Sequence, residues 1–206
     1  MSSQPKKVLL GRYTFLVSKD VYEPAEDTFL LANNLSVNKS KRVLDMGTGC
    51  GILAVLAAEK ARKVVAVDVN PHAVACAQKN AELNGVAAKV EVRYGNLFDV
   101  VAFNEKFDLI LFNAPYLPIE EDKGKGWIEM AWAGGRTGRK VIDWFIDNVS
   151  EHLTKKGRVL LVQSSLSNVE ETLKRFPQHN LHAAIVSEKK VAFEKIVLIE
   201  ARQRLS

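Results

Sequence analysis

Apolar and polar positions follow two rhythms along this chain, and the rhythms take turns. "KRVLDMG" (41–47), "KVVAVDVN" (63–70), "FDLILFN" (107–113) and "GRVLLVQS" (157–164) are short runs rich in Val, Leu and Ile. Such runs predict strands buried on both faces. "AKVEVRYGNL" (88–97) alternates instead, as a half-buried or edge strand does. Between the strands lie segments of helical composition. "GILAVLAAEKA" (51–61) suits a helix lying on a sheet. "PHAVACAQKNAELNG" (71–85) begins with Pro71 at a first-turn position and ends in Asn-Gly, so both its ends are marked. "GRKVIDWFIDNVSEHL" (138–153) follows Thr137 as its N-cap, and "SNVEETLKRF" (167–176) starts at Ser167 and stops before Pro177. The tail from Leu181 predicts two strands joined by a charged turn too short for a parallel crossover, hence an antiparallel pair. Residues 1–40 predict a short extended segment and then a helix at "EPAEDTFLLANNL". Alternating βα units imply an α/β, doubly wound, mostly parallel sheet of seven strands with one antiparallel strand. The whole chain, 1–206, is expected to form one domain: an N-terminal segment and lid helix (1–40) on a core (41–206).

Composition narrows the class. Apolar residues make up 47% and charged residues 26%, the mix of a globular protein, and no apolar run reaches the ~20 residues of a membrane span. The N-terminus lacks the features of a secretory signal. Cys50 and Cys76 form no metal-binding spacing, so neither a zinc site nor a disulfide framework is expected, and a reducing cytoplasm is the default. The net charge of +5 fits a nucleic-acid partner, a ribosome-associated partner or simple solubility alike.

Candidate chemistry gathers at the carboxyl ends of the predicted strands. In "VLDMGTGCGIL", Gly47, Gly49 and Gly51 form a strand-to-helix turn where a ligand can approach the backbone closely. The spacing is not that of a dinucleotide fingerprint. Asp45, just before it, would repel a pyrophosphate but could hold a cationic amino group. That favours S-adenosylmethionine (SAM), which carries an ammonium and a sulfonium and no phosphate. Asp68, about 20 residues on by the usual spacing, suits two ribose hydroxyls. It is free to do so because Asn70 is the better N-cap for the following helix. Asn96 offers an acceptor to an adenine amine and Leu97 an apolar cover, although Gly-Asn is also turn chemistry by itself.

"NAPY" closes the fourth strand. The Asn113 side-chain oxygen and the Ala114 carbonyl can hold both hydrogens of a planar –NH₂ group. Pro115 fixes the backbone, and Tyr116 can stack on the plane. Two acceptors raise electron density on a nitrogen whose lone pair is delocalised, so orientation and electrostatics would carry the reaction. Taken alone, the tetrapeptide is also an ordinary Asn-x-Pro turn.

With these residues in place the chain resembles a known family. N-P-P-Y at this position marks amino-methyltransferases acting on adenine, guanine or glutamine; here the second position is Ala114, whose contact runs through its backbone. "VYEPAEDTFLL" (21–31) and "AWAGGRTGRKVID" (131–143) resemble the archaeal and eukaryotic HemK-related branch of class I SAM-dependent methyltransferases. Members methylate the amide nitrogen (N5) of the glutamine in the Gly-Gly-Gln loop of a class I peptide-chain release factor. The resemblance implies SAM contacts from Thr28, Asp45, Gly47, Asp68, Asn96 and Asn113, and a substrate clamp from Asn113 to Tyr116. In "EPAEDT", Pro24 would open a helix whose first-turn acids, Glu26 and Asp27, suit its dipole, and Thr28 would meet the cofactor if that helix lies over the site as a lid. Arg136 and Arg139 of "GGRTGR" could face the substrate loop or a phosphate, or be solvated. The resemblance also implies a small zinc-binding activator protein, docked on the exposed edge of the third strand at Val90, Val92 and Tyr94 to make a heterodimer.

Three other functions stay open from the residues alone. A DNA or RNA adenine-N6 or guanine-N2 methyltransferase would use the same clamp, but such enzymes usually carry a separate domain to bind or flip the base. A protein-lysine methyltransferase would need a base to deprotonate the ammonium. A non-catalytic SAM-binding module would not need Asp45, Asp68 and Asn113 together.

Overall fold

The computed structural model describes residues 4–39, 41–120 and 126–203; the outermost residues of the expected 1–206 domain lie outside them. Seven strands form one sheet in the order β5-β4-β3-β6-β7-β9-β8. In chain order these are β3 (Arg42–Met46), β4 (Lys63–Asp68), β5 (Val90–Tyr94), β6 (Phe107–Asn113), β7 (Leu153–Ser164), β8 (Leu181–Lys190) and β9 (Lys195–Gln203). β5, β4, β3, β6 and β7 run parallel, and β9 is antiparallel to both of its neighbours. The helices are α1 (Glu26–Asn33), α2 (Ile52–Lys60), α3 (Pro71–Leu83), a short α4 (Trp127–Met130), α5 (Lys140–Val149) and α6 (Val169–Arg175). β3, β4, β6 and β7 are buried along most of their length, as the continuous apolar runs require.

The order of the strands reverses around β3. β4 and β5 lie on one side of it and β6 and β7 on the other. A crevice therefore opens beyond the carboxyl ends of β3 and β6, where Gly47 and Asn113 stand.

Residues 4–22 depart from the expected single extended segment. β1 (Lys6–Leu10) and β2 (Tyr13–Val17) make a hairpin through a two-residue turn. Tyr13, Phe15 and Val17 are buried, with Thr14 and Leu16 between them facing out. Two amides on α3 hold β2 in place of a neighbouring strand. Asn84 accepts from Thr14 N (3.0 Å) and donates to Thr14 O (2.8 Å), while Asn80 accepts from Leu16 N (2.9 Å) and donates to Leu16 O (2.9 Å). Asn70, the N-cap of α3 as expected, also donates to Asp20 O (2.7 Å). α3 thus carries the chain from the hairpin to α1 across the mouth of the crevice.

Several helix starts move. α5 begins at Lys140 with Arg139 in the cap position, not Thr137, because Gly138 turns at φ +72°. It ends at Val149, and β7 begins at Leu153 rather than 157. α6 is capped by Asn168, which accepts from Glu171 N (3.1 Å); Ser167 instead donates to Ser164 O. α1 starts at Glu26, two residues after Pro24.

Candidate functional site

The crevice is a cavity of about 940 Å³, a size that holds a drug-sized ligand. Its floor is the turn from Met46 to Leu53. Gly49 sits at φ +57°, and a Cβ there would meet nothing within 4 Å, so a ligand can reach its backbone. Gly47, at φ +61°, also lines the cavity. Gly51 does not. A Cβ on it would lie 2.9 Å from the Ala77 Cα, so this glycine lets α2 seat against α3. Asp45 departs from expectation in the same way. It is fully buried and absent from the cavity wall, and its Oδ2 accepts the Thr48 hydroxyl at 2.6 Å. Burial pushes its carboxyl up to about 7, against the pull of Thr48. Asp45 therefore shapes the glycine turn from behind.

Asp68 does reach the cavity. Its oxygens accept Gly49 N (2.8 Å) and Asn70 N (2.9 Å), which ties the glycine turn to the end of β4. Each carboxylate oxygen keeps acceptor capacity for further donors. Burial raises its pKa against those two amides. Asn96 donates to Asp99 (3.3 Å), which leaves its oxygen available as an acceptor. Leu97 lines the cavity at φ +47°, a conformation that costs a non-glycine residue on the order of 1 kcal/mol. The next residue explains how it persists. Phe98 is clamped in a stack, 4.4 Å from the His152 ring centroid and 5.7 Å from that of Phe145.

The NAPY turn forms the far wall. Asn113, Ala114, Pro115 and Tyr116 all line the cavity. The Asn113 amide donates to Thr28 Oγ1 (3.3 Å), and its buried Oδ1 has no partner. Nothing donates to the Ala114 carbonyl among the described residues. Two consecutive residues of the cavity lining thus each keep an acceptor without a donor. A buried acceptor rarely stays unpaired, so Asn113 Oδ1 calls for a donor from outside the chain. α1 contributes Asp27 and Thr28 to the cavity lining. A side chain that sequence reasoning missed links α1 to the turn. Asp27 is buried and accepts the hydroxyls of Tyr116 (3.1 Å) and Tyr22 (3.2 Å) and the backbone N–H of Thr28 (2.6 Å). Its place in the first turn of a helix explained it as a dipole partner, so nothing in the local pattern pointed to tyrosines 5 and 89 residues away.

The segment "AWAGGRTG" packs on the outside of the turn. Leu117 N donates to Trp132 O (2.9 Å), Gly134 N to Leu117 O (2.9 Å) and Ile119 N to Gly135 O (3.0 Å). A Cβ on Gly138 would lie 2.3 Å from the Tyr116 carbonyl oxygen. Arg136 is exposed on the cavity rim beside Lys140. Arg139, expected with it, is only 6% exposed and turns away. Its guanidinium donates to Ser167 O (2.7 Å), Asn168 O (2.7 Å), Thr172 Oγ1 (2.9 Å) and Asp143 Oδ1 (2.6 Å), pinning α5 to the start of α6. Tyr22, Ile119, Trp127, Met130 and Trp132 complete an apolar rim.

β5 is the sheet edge, as expected. Its apolar face is less open than the sequence implied. Val90 and Val92 are half-buried against the core, and only Tyr94, at 61%, is well exposed.

The lining suits a phosphate-free nucleoside: a ribose acceptor, an apolar clamp, open glycine backbone and, among the described residues, no cluster of cations on the floor. Comparisons agree. The family model described as "Methyltransferase small domain" matches residues 17–191. A protein of Methanocaldococcus jannaschii, provisionally named a protein N5-glutamine methyltransferase, is 42% identical over 184 residues, 88% of this chain and 91% of that one. Methyltransferase HEMK2 of Homo sapiens is 36% identical over 174 residues, 80% of each chain. The E. cuniculi Mtq2–Trm112 complex, described as responsible for methylating the eRF1 translation termination factor, matches with a TM-score of 0.71 and 25% identity, covering 90% of this chain and 99% of that one. A Methyltransferase-small model spanning most of the chain, together with these relatives, places it among the HemK-related members of the small-domain methyltransferase family.

Proposed function

We propose that this enzyme methylates the side-chain amide nitrogen of a glutamine, with SAM as donor, in the Gly-Gly-Gln loop of a class I peptide-chain release factor. One observation carries the reading: Asn113 and Ala114, consecutive lining residues at the end of β6, each keep an acceptor (Asn113 Oδ1 and Ala114 O) that nothing among the described residues donates to. A planar –NH₂ has two hydrogens to give them. The names of the relatives, and the eRF1 methylation described for Mtq2, select glutamine over a nucleobase. The chain acts as one catalytic unit, with the segment from the hairpin to α1 serving the core.

The bound cofactor supplies an electrophilic methyl group. Asp68 would receive its ribose hydroxyls, Asn96 and Leu97 would hold its adenine, and the Gly47 and Gly49 backbone and Thr28 would border the rest. Asn113 and Ala114 then orient the amide nitrogen and enrich its lone pair, and the Tyr116 ring, fixed at its hydroxyl by Asp27, flanks the amide plane. No strong base is needed, because the methylated nitrogen sheds its proton readily to water. Arg136 stands where an incoming loop would pass.

A small zinc-binding activator protein is proposed on the β5 edge; that such enzymes take a partner is supported by the description of Mtq2 in complex with Trm112. Tyr94 and Phe103, 61% and 74% exposed, offer it apolar contact.

The test is tritiated-SAM labelling of purified release factor beside total RNA and DNA. Label on glutamine of the factor supports the reading; label on nucleic acid alone overturns it. Asn113→Ala should lower transfer by roughly 10²–10³-fold, the usual loss when one preorganised group is removed, with cofactor affinity much less affected. Equal loss of both would make Asn113 a cofactor residue first.

A further inference from the structure

Asn113 presents an oxygen to the cavity only if its amide is turned one way, and a pair of residues in the lid helix fixes that choice. The Thr28 hydroxyl has one proton and two polar neighbours: Asp27 Oδ1 at 3.2 Å and the Asn113 amide at 3.3 Å. Asp27 has nothing to donate, since three donors already converge on it, from Tyr22, Tyr116 and the Thr28 backbone. The hydroxyl proton must therefore point at Asp27. The oxygen of Thr28 is left to accept, so the Asn113 group facing it must be the –NH₂. Oδ1 is then the atom left without a partner, on a residue that lines the cavity. The opposite turn would set the Asn113 oxygen against a hydroxyl oxygen with no proton between them, and would aim an –NH₂ at the substrate's own –NH₂.

We infer that Asp27 and Thr28 are positioning residues that set the polarity of the Asn113 clamp, through the directed line Asn113 Nδ2–H to Thr28 Oγ1–H to Asp27 Oδ1. The inference rests on the proposed amide clamp but not on which molecule bears the amide. It gives the adjacent "DT" of the lid helix a task separate from cofactor contact.

Two measurements test it on the full chain. The first needs no acceptor. In ¹⁵N spectra, the Asn113 side-chain amide is identified by its loss in Asn113→Ala. One of its protons should exchange slowly in the parent protein and quickly in Thr28→Val. Equal exchange in both overturns the inference. The second is a double-mutant cycle on kcat. Asp27→Asn and Thr28→Val should each lower kcat by roughly tenfold to a hundredfold, and the double variant should be no worse than the worse single, because both cut one line. Thr28→Ser, which keeps the hydroxyl, should recover at least about tenfold over Thr28→Val. Multiplying losses in the double variant, or no recovery by serine, overturn the inference. Melting temperatures within a few degrees of the parent show that the variants fold. If the parent labels a nucleobase amine and no glutamine, the proposed substrate falls, and the cycle is read on that amine instead.

Discussion

Single side chains at this site answer to burial as much as to ligand. Asp45 is the clearest case. Its folded carboxyl titrates at about 7, above the ordinary 3.8. Between those values the unfolded chain has lost the proton that the folded chain keeps. Folding therefore takes up a proton, and stability falls as pH climbs from about 4 to 7 and levels off above. Asp45→Asn should remove that slope, as read from denaturant midpoints at pH 5 and pH 8; an unchanged slope would assign it to another group. Gly138 makes a second case. Its φ is +72°, and the Tyr116 carbonyl oxygen lies 2.3 Å from the place a Cβ would take, so Gly138→Ala must displace the NAPY turn. A loss of roughly 2–4 kcal/mol of stability is expected, with transfer activity falling further than the melting point alone explains.

Elements show which parts of the fold were legible. β6 has the bounds its apolar run predicts, Phe107–Asn113, because a strand buried on both faces leaves no ambiguity of period. α3 starts where Pro71 and Asn70 say it should. Asp68, Asn96, Leu97 and the NAPY residues reach the cavity because their positions follow from strand ends alone. The rest needed tertiary information. Arg139 and Gly51 carry residue types that suit a ligand, yet each faces another helix. The β1–β2 hairpin pairs with side chains of α3 rather than with the sheet, a partnership that no local pattern announces. Glu105 likewise joins distant elements. It receives Arg93 of β5 and Arg42 of β3, and Arg93 above all holds its carboxyl down at about 2. This stabilisation is present above the ordinary carboxylate range and is lost as pH falls from about 4.5 towards 2. Glu105→Gln should cost about 1 kcal/mol at pH 7, and the difference should vanish near pH 2 in urea melts.

At the scale of the molecule, one end of the sheet is guarded and the other is open. β8 closes one end with a register shift between Ile185 and Ser187 and with Lys189 and Lys190, features that discourage pairing with another strand. Lys189 also meets Glu26 of α1, fastening the lid to that end. β5 at the other end is five residues long and leaves Tyr94 exposed. Tyr94→Asp with Phe103→Asp should abolish co-purification of the proposed small partner without lowering the melting point of the chain alone; co-purification that survives both changes would move the partner elsewhere. The amides that hold the N-terminal hairpin bear on how the molecule ages. Asn84 is followed by Gly85, the pairing most prone to spontaneous deamidation in a loose chain. Here both ends of the Asn84 amide are engaged by Thr14, and the Gly85 N–H that would attack it is bonded to Glu82 O at 3.0 Å. Conversion to aspartate would put a carboxylate against the Thr14 carbonyl in place of a donor. Long storage or mild heating that first loosens the hairpin would then make its own loosening permanent, and the segment that leads the chain into α1 would lose its anchor on α3.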